Sequence, residues 1–430
     1  MRRATLYLVS CLACLVSAES FYDNPEQDPL PAYGYEAKVK QQWMPGEKDY
    51  AYEPGKVPKE ELERLWDFEW GFSGLNTYAH LQHVKCLVEP TVPFDIGIIG
   101  APFDTALEFK ILTSLHLLGA RFGPRAIRLA SARQTSMRGF NPRRGLNPYS
   151  TPLKILDCGD IPITPFDNAL ALQQMSAAFL ELGTRQPAYV SKDGTGQAAW
   201  PKPKLLTLGG DHAIALPALR ALNKIYGQPI AVLHFDAHLD TWHPARYPSA
   251  WPSEQSSFNH GSMFWLASNE GLILNGSSAH AGLRARLGGE DWSDYDDDER
   301  QGFLRISSDD IDTLGTSGII SAILERIGIA VPVYLSLDID VLDPGLCPGT
   351  GTPEPGGWTS REVIRILRGL EGLNVVGADI VEVAPAYDGA GEQTALVAAQ
   401  VGFEILTSWV GRWIEEGRKS NQTAKAKDEL

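Results

Sequence analysis

The sequence predicts a three-layer α/β/α domain built on a mainly parallel sheet, and three observations carry that expectation. Short β-rich runs recur along most of the chain, with turns and helical patterns between them. Each run is almost continuously apolar rather than alternating, as expected of a strand covered on both faces. With 430 residues, 43% hydrophobic and 21% charged, the chain has apolar matter for a large core and the mix of a globular protein.

The chain opens with Met1-Arg2-Arg3, an apolar run from Ala4 to Val16, and the small-residue stop Val16-Ser17-Ala18. The run is too short to span a membrane, and residues 1–18 have the layout of a secretory signal peptide. Residues 19–93 are rich in Pro, Tyr, Trp and charge and read as an N-terminal extension wrapped on the main domain, with a helix around Lys59–Trp70 and partial disorder as the alternative. The catalytic domain is expected over 94–416 and a tail over 417–430. Behind a signal peptide, the closing Lys427-Asp428-Glu429-Leu430 reads as a receptor-recognised address for the lumen of the endoplasmic reticulum, with secretion as the alternative. Asn275-Gly276-Ser277 and Asn421-Gln422-Thr423 fit the glycosylation acceptor.

The strand candidates within the domain are Phe94–Gly100, Leu153–Cys158, Lys204–Leu208, Ile230–Phe235, Phe303–Ile306, Val333–Leu337 and Val375–Ile380. Asn168–Leu182 has the apolar spacing of a helix. Another helix opens at Thr359, with Glu362 three residues on as in a capping box. The last, roughly Thr394–Glu416, is interrupted by Glu404 and Arg412 and reads as a packing helix rather than a membrane span. The acidic stretch Asp294 to Glu299 reads as a solvated loop. Strand, crossover helix and strand again give the parallel sheet.

Composition excludes some functions. Lys and Arg number 38 against 53 Asp and Glu, a formal charge of −15, so there is no basic stripe for a nucleic-acid backbone. Of five cysteines, Cys11 and Cys14 leave with the signal. Cys86, Cys158 and Cys347 then permit at most one internal bridge, which is no disulfide scaffold. Gly349-Thr350-Gly351 is followed by Thr352-Pro353-Glu354-Pro355, where Pro blocks the helix start that a dinucleotide fingerprint needs.

Three strands run into metal-ligating residue types: Gly209-Gly210-Asp211-His212, Asp236-Ala237-His238-Leu239-Asp240, and Asp338-Ile339-Asp340. In open α/β sheets ligands bind beyond the carboxyl ends of strands. Spacing of two puts Asp236 with His238, and Asp338 with Asp340, on one side of an extended chain, and Asp240 joins them if the chain stays extended. Taken singly, Asp236 or Asp338 reads equally well as a helix cap and His212 as a satisfied core histidine. Together, His212, Asp236, His238, Asp240, Asp338 and Asp340 read as ligands. Two divalent cations would cancel their four carboxylate charges. A mixed oxygen and imidazole set without thiolate suits manganese better than zinc or iron. A water shared by two such ions becomes a nucleophile near neutral pH, so metal-assisted hydrolysis is the expected chemistry.

With Ser336 to Pro344, Pro348 to Pro353 and Gly377 to Val383, these motifs resemble the signatures of the ureohydrolases, the arginase and agmatinase enzymes, over roughly Phe94 to Trp413. The resemblance implies an arginase-like fold, two Mn2+ per subunit, and hydrolysis of a guanidinium to urea and an amine. It implies that His212, Asp236, Asp240 and Asp338 hold one ion, and that His238, Asp236, Asp338 and Asp340 hold the other. Glu382 would pair with the guanidinium, as a bidentate carboxylate suits a planar cation. His260, in Asn259-His260-Gly261-Ser262, would shuttle protons and Asp240 would pass one to the leaving amine. Trp242 and Asn259 are assigned with Glu382 to the substrate pocket. Family members commonly form trimers or hexamers.

Arginases place polar residues, notably Asn, after the Asp-Ala-His-x-Asp motif to bind the amino-acid carboxylate. Here Thr241 and Trp242 follow, so the pattern resembles agmatinase, which gives putrescine and urea. Guanidinobutyrate stays open because an Arg such as Arg246 could meet its carboxylate. The sequence departs from the family between Phe103-Asp104 and Gly119-Ala120-Arg121, where Thr105 to Leu118 replaces a shorter loop. A rebuilt loop, a stretch of acquired foreign residues, an extra helical turn and a partner contact all fit it. The alternative function is a metal-retaining but catalytically impaired protein of the secretory pathway.

Overall fold

Strands β1 (Ile96–Ala101), β2 (Ile155–Asp160), β3 (Lys204–Gly209), β4 (Ala231–Phe235), β5 (Ser278–Leu283), β6 (Phe303–Ser307), β7 (Val333–Asp338) and β8 (Val375–Val381) form one sheet. Their order is β2-β1-β3-β8-β7-β4-β5-β6, and every neighbouring pair is parallel. This is a computed structural model, and it describes residues 76–105, 119–191, 198–246 and 257–428. Contacts group the chain into Met1–Phe68 and Glu69–Leu430, and every described residue belongs to the second unit. The expected leader over 1–18, the expected helix at Lys59–Trp70, positions 106–118 and the last two residues lie outside the described ones.

Alternate strand residues supply two cores, one on each face of the sheet. On one face Ile96, Ile98, Leu206, Leu233, Leu335 and Ile380 pack against α1 (Gly123–Ala130), α6 (Asp310–Ile327), α7 (Ser360–Gly369) and α8 (Gln393–Asp428). On the other, Ile99, Val232, Tyr334 and Val381 pack against α2 (Asn168–Gly183), α3 (Ala215–Tyr226) and α4 (Met263–Asn269). The three layers follow from runs that are apolar on both faces. Thr359 caps α7, its hydroxyl and the Glu362 carboxylate forming the reciprocal capping box. The α8 segment Gln393–Arg418 is long and apolar enough to cross a membrane, yet 72% of its most apolar window is buried inside this fold. Its Glu404 is buried against Arg368 of α7, at 2.9 and 2.5 Å.

Residues 76–93 pack on the sheet edge. The Tyr78 amide donates to Asp157, its hydroxyl to the Ala399 carbonyl, and a disulfide joins Cys86 to Cys158. Cys347 is a buried free thiol.

Two elements differ from the sequence reading. The strand β5 was not expected, because Ser278-Ala279-His280-Ala281-Gly282-Leu283 lacks bulky β-branched residues. Its small side chains are nonetheless all buried between β4 and β6. The acidic stretch expected as a solvated loop is a helix, α5 (Ser293–Gln301). Asp294, Asp298 and Gln301 fall on one face at helical spacing and are buried, while Gly302 closes the helix in the left-handed region at φ 85°. The inward stripe is polar, so apolar periodicity could not reveal it.

Candidate metal centre and active site

Four consecutive strands at the middle of the sheet, β3, β8, β7 and β4, end at one rim and deliver the candidate residues there. Beyond β3, the Gly210 amide donates to Ala101 and the Asp211 amide to the Phe103 carbonyl, each at 2.9 Å. A Cβ on Gly210 would lie 1.8 Å from the Phe103 carbonyl oxygen, so only glycine lets these two loops meet. Asp211 then caps a short 3-10 turn that fixes His212.

His212 faces three carboxylates with one nitrogen. Its Nδ1 is 3.1 Å from Asp236 Oδ2, 3.2 Å from Asp240 Oδ2 and 3.4 Å from Asp338 Oδ2. Its Nε2 is 2.6 Å from Ser336 Oγ, and that hydroxyl donates to Asp379 Oδ1 at 2.8 Å. Asp379 also accepts from the Tyr334 hydroxyl. A ligating histidine oriented in this way keeps Nδ1 free for an ion. On the other side of Asp236, His238 Nδ1 lies 3.2 Å from Asp236 Oδ1 and 3.0 Å from Asp340 Oδ2. Asp340 is held by the Ala237 amide and the Thr352 hydroxyl, each at 3.0 Å. Arg284 braces this rim by donating to the carbonyls of Asp340, Leu342 and Glu354.

Two groups of potential ligand atoms result: His212, His234, Asp236 and Asp240 within 4.8 Å of one another, and Asp236, His238 and Asp340 likewise. Asp236 belongs to both. His234 was absent from the sequence reading. Its Nε2 lies 2.8 Å from Asp236 Oδ2 and its Nδ1 2.7 Å from His280, so both ring nitrogens are engaged within the protein.

Asp240 reaches the cluster by a route other than the extended chain expected from its spacing. Its φ is +55°, a left-handed turn that folds the carboxylate back toward His212. Glu382 likewise has φ +62°, and its amide donates to the Gly210 carbonyl. Non-glycine residues in this region carry a cost of order 1–3 kcal/mol and collect at functional sites. Period-two reasoning assumes a continuing strand, and at both positions the strand has ended.

Burial and mutual repulsion set the protonation of the site. Asp240 is pushed up to about 7 by burial and by Asp236. Asp338 and Glu382 are raised well above the ordinary carboxyl range, first by burial and then by neighbouring acids. Burial pushes Asp211 up to about 6, although the Thr105 amide and hydroxyl both donate to it at 2.6 Å. Asp236 is the exception: burial would raise it, but the surrounding histidines outweigh this and hold it well below the usual range. For His212 and His238, burial alone would depress the imidazolium, and the adjacent carboxylates more than reverse it. Burial pushes His234 down to about 3. The donor set has more acidic groups than its protein partners satisfy, and the deficit is cationic.

The other expected residues line the approach. Glu382 Oε1 accepts from the His212 amide at 2.9 Å. His260 Nδ1 lies 3.3 Å from Thr105 Oγ1 and 3.9 Å from Asp211 Oδ2, with the side chain 17% exposed. The Trp242 amide donates to the Gly261 carbonyl, and its ring is 6.5 Å from that of His238. Asn259 is buried, and its Oδ1 accepts from the Gly261 amide at 2.9 Å, holding the loop that carries His260. The Thr241 hydroxyl turns inward to Asp298 Oδ1 at 2.8 Å, and Gln301 of α5 donates to the Thr241 carbonyl.

Residues 94–407 match the model of the arginase family. The chain is 48% identical over 340 residues to a Schizosaccharomyces pombe protein provisionally named agmatinase 1, covering 79% of this chain and 83% of that one. It is 37% identical over 312 residues to an agmatinase of Chromobacterium violaceum, covering 73% and 83%. Among solved structures it resembles proclavaminate amidinohydrolase from Streptomyces clavuligerus, with a TM-score of 0.65, 33% identity, and coverage of 80% of this chain and 99% of that one.

Proposed function

Because this chain belongs to the arginase family of hydrolases, we propose that it cleaves agmatine to putrescine and urea at a pair of Mn2+ ions. The observation that carries the reading is the pair of ligand groups sharing Asp236, beside the buried Glu382 carboxylate. His212, Asp236, Asp240 and Asp338 would hold one ion, and His238, Asp236, Asp338 and Asp340 the other. The absence of thiolate from this set favours manganese. Such ions supply Lewis acidity and lower the pKa of water toward neutrality.

The chain's own groups do the rest. Glu382, a buried carboxyl held by the His212 amide, would pair with a guanidinium through both oxygens, which favours a cationic substrate at that point. Asp240, 3.2 Å from His212 at the rim, would accept a proton and return it to the leaving amine. His260, 17% exposed and beside Thr105, would carry protons between the site and bulk water. Trp242 and Asn259 would shape the mouth.

Agmatine is favoured over arginine because the Thr241 hydroxyl, which could have met an α-carboxylate, is committed to Asp298. A guanidino acid is the second reading, supported by the comparable likeness, 36% over 313 residues, to an enzyme named proclavaminate amidinohydrolase. Urea release from agmatine, 4-guanidinobutyrate and arginine by the Mn2+-loaded chain tests this. The expected kcat/KM favours agmatine over arginine by at least about a hundredfold. Preference for guanidinobutyrate would establish the second reading. No urea from any of the three, with Mn2+ retained, would favour the impaired-protein alternative.

Residence in the endoplasmic reticulum lumen and a trimeric or hexameric assembly belong to the same proposal. The Cys86–Cys158 bridge supports an oxidising compartment. Deleting Lys427 to Leu430 should then release the protein into the medium of expressing cells.

A further inference from the structure

The strands that end at the rim begin at the opposite edge of the sheet, and there the fold encloses a lysine. Lys204 opens β3 and is 3% exposed. Its register opposite Ile96 of β1 turns it to the face that α8 covers. The Nζ donates to the Val375 carbonyl at 2.5 Å, and it lies 4.9 Å from the centroid of the Trp200 ring and 5.4 Å from that of Trp409 in α8. An ammonium carries three donors, so one carbonyl and two ring faces leave it short of acceptors. Among the described residues it forms no ion pair. Glu416 of α8 acts on it from a distance and is itself bound by Arg412 at 2.7 Å. Burial and Arg412 push the Lys204 amine down to about 7, and Glu416 offsets them only in part.

A buried charge is normally paired, and here the space for a partner exists. Lys204 lines a cavity of about 460 Å³ with Trp200, Pro201, Tyr226, Asn374 and Val376. Sites for small molecules fall in this range of size. Tyr226 and Asn374 add a hydroxyl and a side-chain amide to walls that are otherwise apolar, apart from the exposed Glu416. Tyr226 and Val376 also border an apolar cleft of about 30 Å³ beside α2 and α3, walled by Phe179, Leu222 and Tyr334.

We propose that this cavity binds a small organic monoanion, a carboxylate with an apolar tail. Its oxygens accept from Lys204 Nζ, and its tail lies along Trp200 and Val376 toward the cleft. Charge complementarity chooses the class. One buried amine meets one negative charge, and Glu416 repels a second, which disfavours phosphate and dicarboxylates. An alcohol of the same shape leaves the amine without its counter-charge. Agmatine and putrescine are cations that Lys204 turns away, so the cavity is no second copy of the centre at the rim.

Calorimetry on the full chain at pH 7, with and without Mn2+, tests the proposal with acetate, butyrate, hexanoate and hexanol. Hexanoate should bind with a Kd below about 1 mM, the same in both conditions. Each CH2 added from acetate onward should tighten binding by up to about fourfold. Hexanol should bind at least about tenfold more weakly than hexanoate. Lys204→Met keeps an apolar stem of similar length and should cost at least about tenfold in hexanoate affinity. Glu416→Gln, at an exposed position, should tighten hexanoate by about two- to threefold. The acid-to-alcohol ratio and Glu416→Gln keep the test valid if Lys204→Met fails to fold. No hexanoate binding, equal binding of hexanoate and hexanol, unchanged affinity in a folded Lys204→Met, or binding that needs Mn2+ would overturn the proposal.

Discussion

At the edge of the sheet, Asp157 and Asp160 of β2 meet the guanidinium of Arg128. Its Nε and Nη2 bind Asp157 at 2.8 and 3.0 Å, and its Nη1 binds Asp160 at 2.6 Å. At the centre, Asp236, Asp240, Asp338 and Asp340 meet three histidines, His212, His234 and His238, and among the described residues their carboxylates form no ion pair with lysine or arginine. Both clusters are acidic, and Asp157 and Arg128 are buried like the aspartates at the centre. In the first, burial would depress the Arg128 cation, and the two aspartates outweigh that and keep it charged. In the second, Asp240 and Asp338 themselves give way, pushed up by burial and by neighbouring acids. A fold that supplies its own counter-charge has built a structural cluster, and one that withholds it has left a place for a cation from outside.

Removing a carboxylate should therefore have opposite consequences at the two places, and the largest effect belongs to the centre. Asp338→Asn keeps the acceptor for the Asp340 amide but removes a charge. Urea release should fall by well over the roughly hundredfold typical of residues behind the ligands, and Mn2+ affinity with it. The metal-free protein should melt no lower than the wild type, because a repelling charge has gone. Loss of melting temperature without loss of Mn2+ binding would place this aspartate with the structural cluster.

The edge should behave in the reverse sense. Arg128→Met leaves Asp157 buried without its cation, and losing one partner of a buried pair costs roughly 3–5 kcal/mol. Urea unfolding should report that loss while Mn2+ affinity, corrected to folded protein, stays within about twofold. A matching drop in affinity would show that the two clusters are coupled.

Acidity separates them next. Unfolded carboxyls titrate near 4, whereas folded, metal-free Asp240 does so at about 7 and Asp211 at about 6. Between those limits the folded protein holds protons that the unfolded chain has released, so its stability falls as pH rises through that window. Asp338 and Glu382, also raised, act in the same direction. His212 and His238, raised as well, add stability below about 6.5 that is lost above it. His234, pushed down to about 3, opposes this between about 3 and 6.5, one group against several. Asp236 opposes it only below about 4. Metal-free protein should melt higher at pH 5 than at pH 8, and Mn2+ at a hundred times its Kd should restore about 2.7 kcal/mol at pH 8. A melting temperature that rises with pH in the absence of metal would break the comparison.

The contrast between the clusters also marks what the sequence made legible. His212, Asp236, His238, Asp240, Asp338 and Asp340 were readable because ligand chemistry is written in short motifs at strand ends, and the strands themselves in apolar runs. The Arg128 cluster, by comparison, joins α1 to β2 across 29 and 32 positions, and no local motif announces it. The row of contacts from Asp236 through His234 and His280 to Asp298 was hidden for the same reason. His234 lies inside an apolar run, His280 in a strand of small residues, and Asp298 in an acidic helix; only the register of β4, β5 and β6 joins them. Local patterns disclose where a chain turns its chemistry outward, while pairs settled inside the protein depend on topology.

The smallest effect comes from the outer half of the edge cluster. Asp157 is 1% exposed at its side chain and Asp160 is 47% exposed, although both bind the same guanidinium. An exposed pair gains little because water screens it and the unpaired ions are well solvated, typically less than about 1 kcal/mol. Asp160→Asn should therefore cost under about 1 kcal/mol by urea unfolding, and Asp157→Asn several times more, since the latter also weakens the acceptor for the Tyr78 amide. Mn2+ affinity should be unchanged in both. Equal costs would mean that burial does not set the value of these ion pairs, and the same argument would then fail for the carboxylates at the centre.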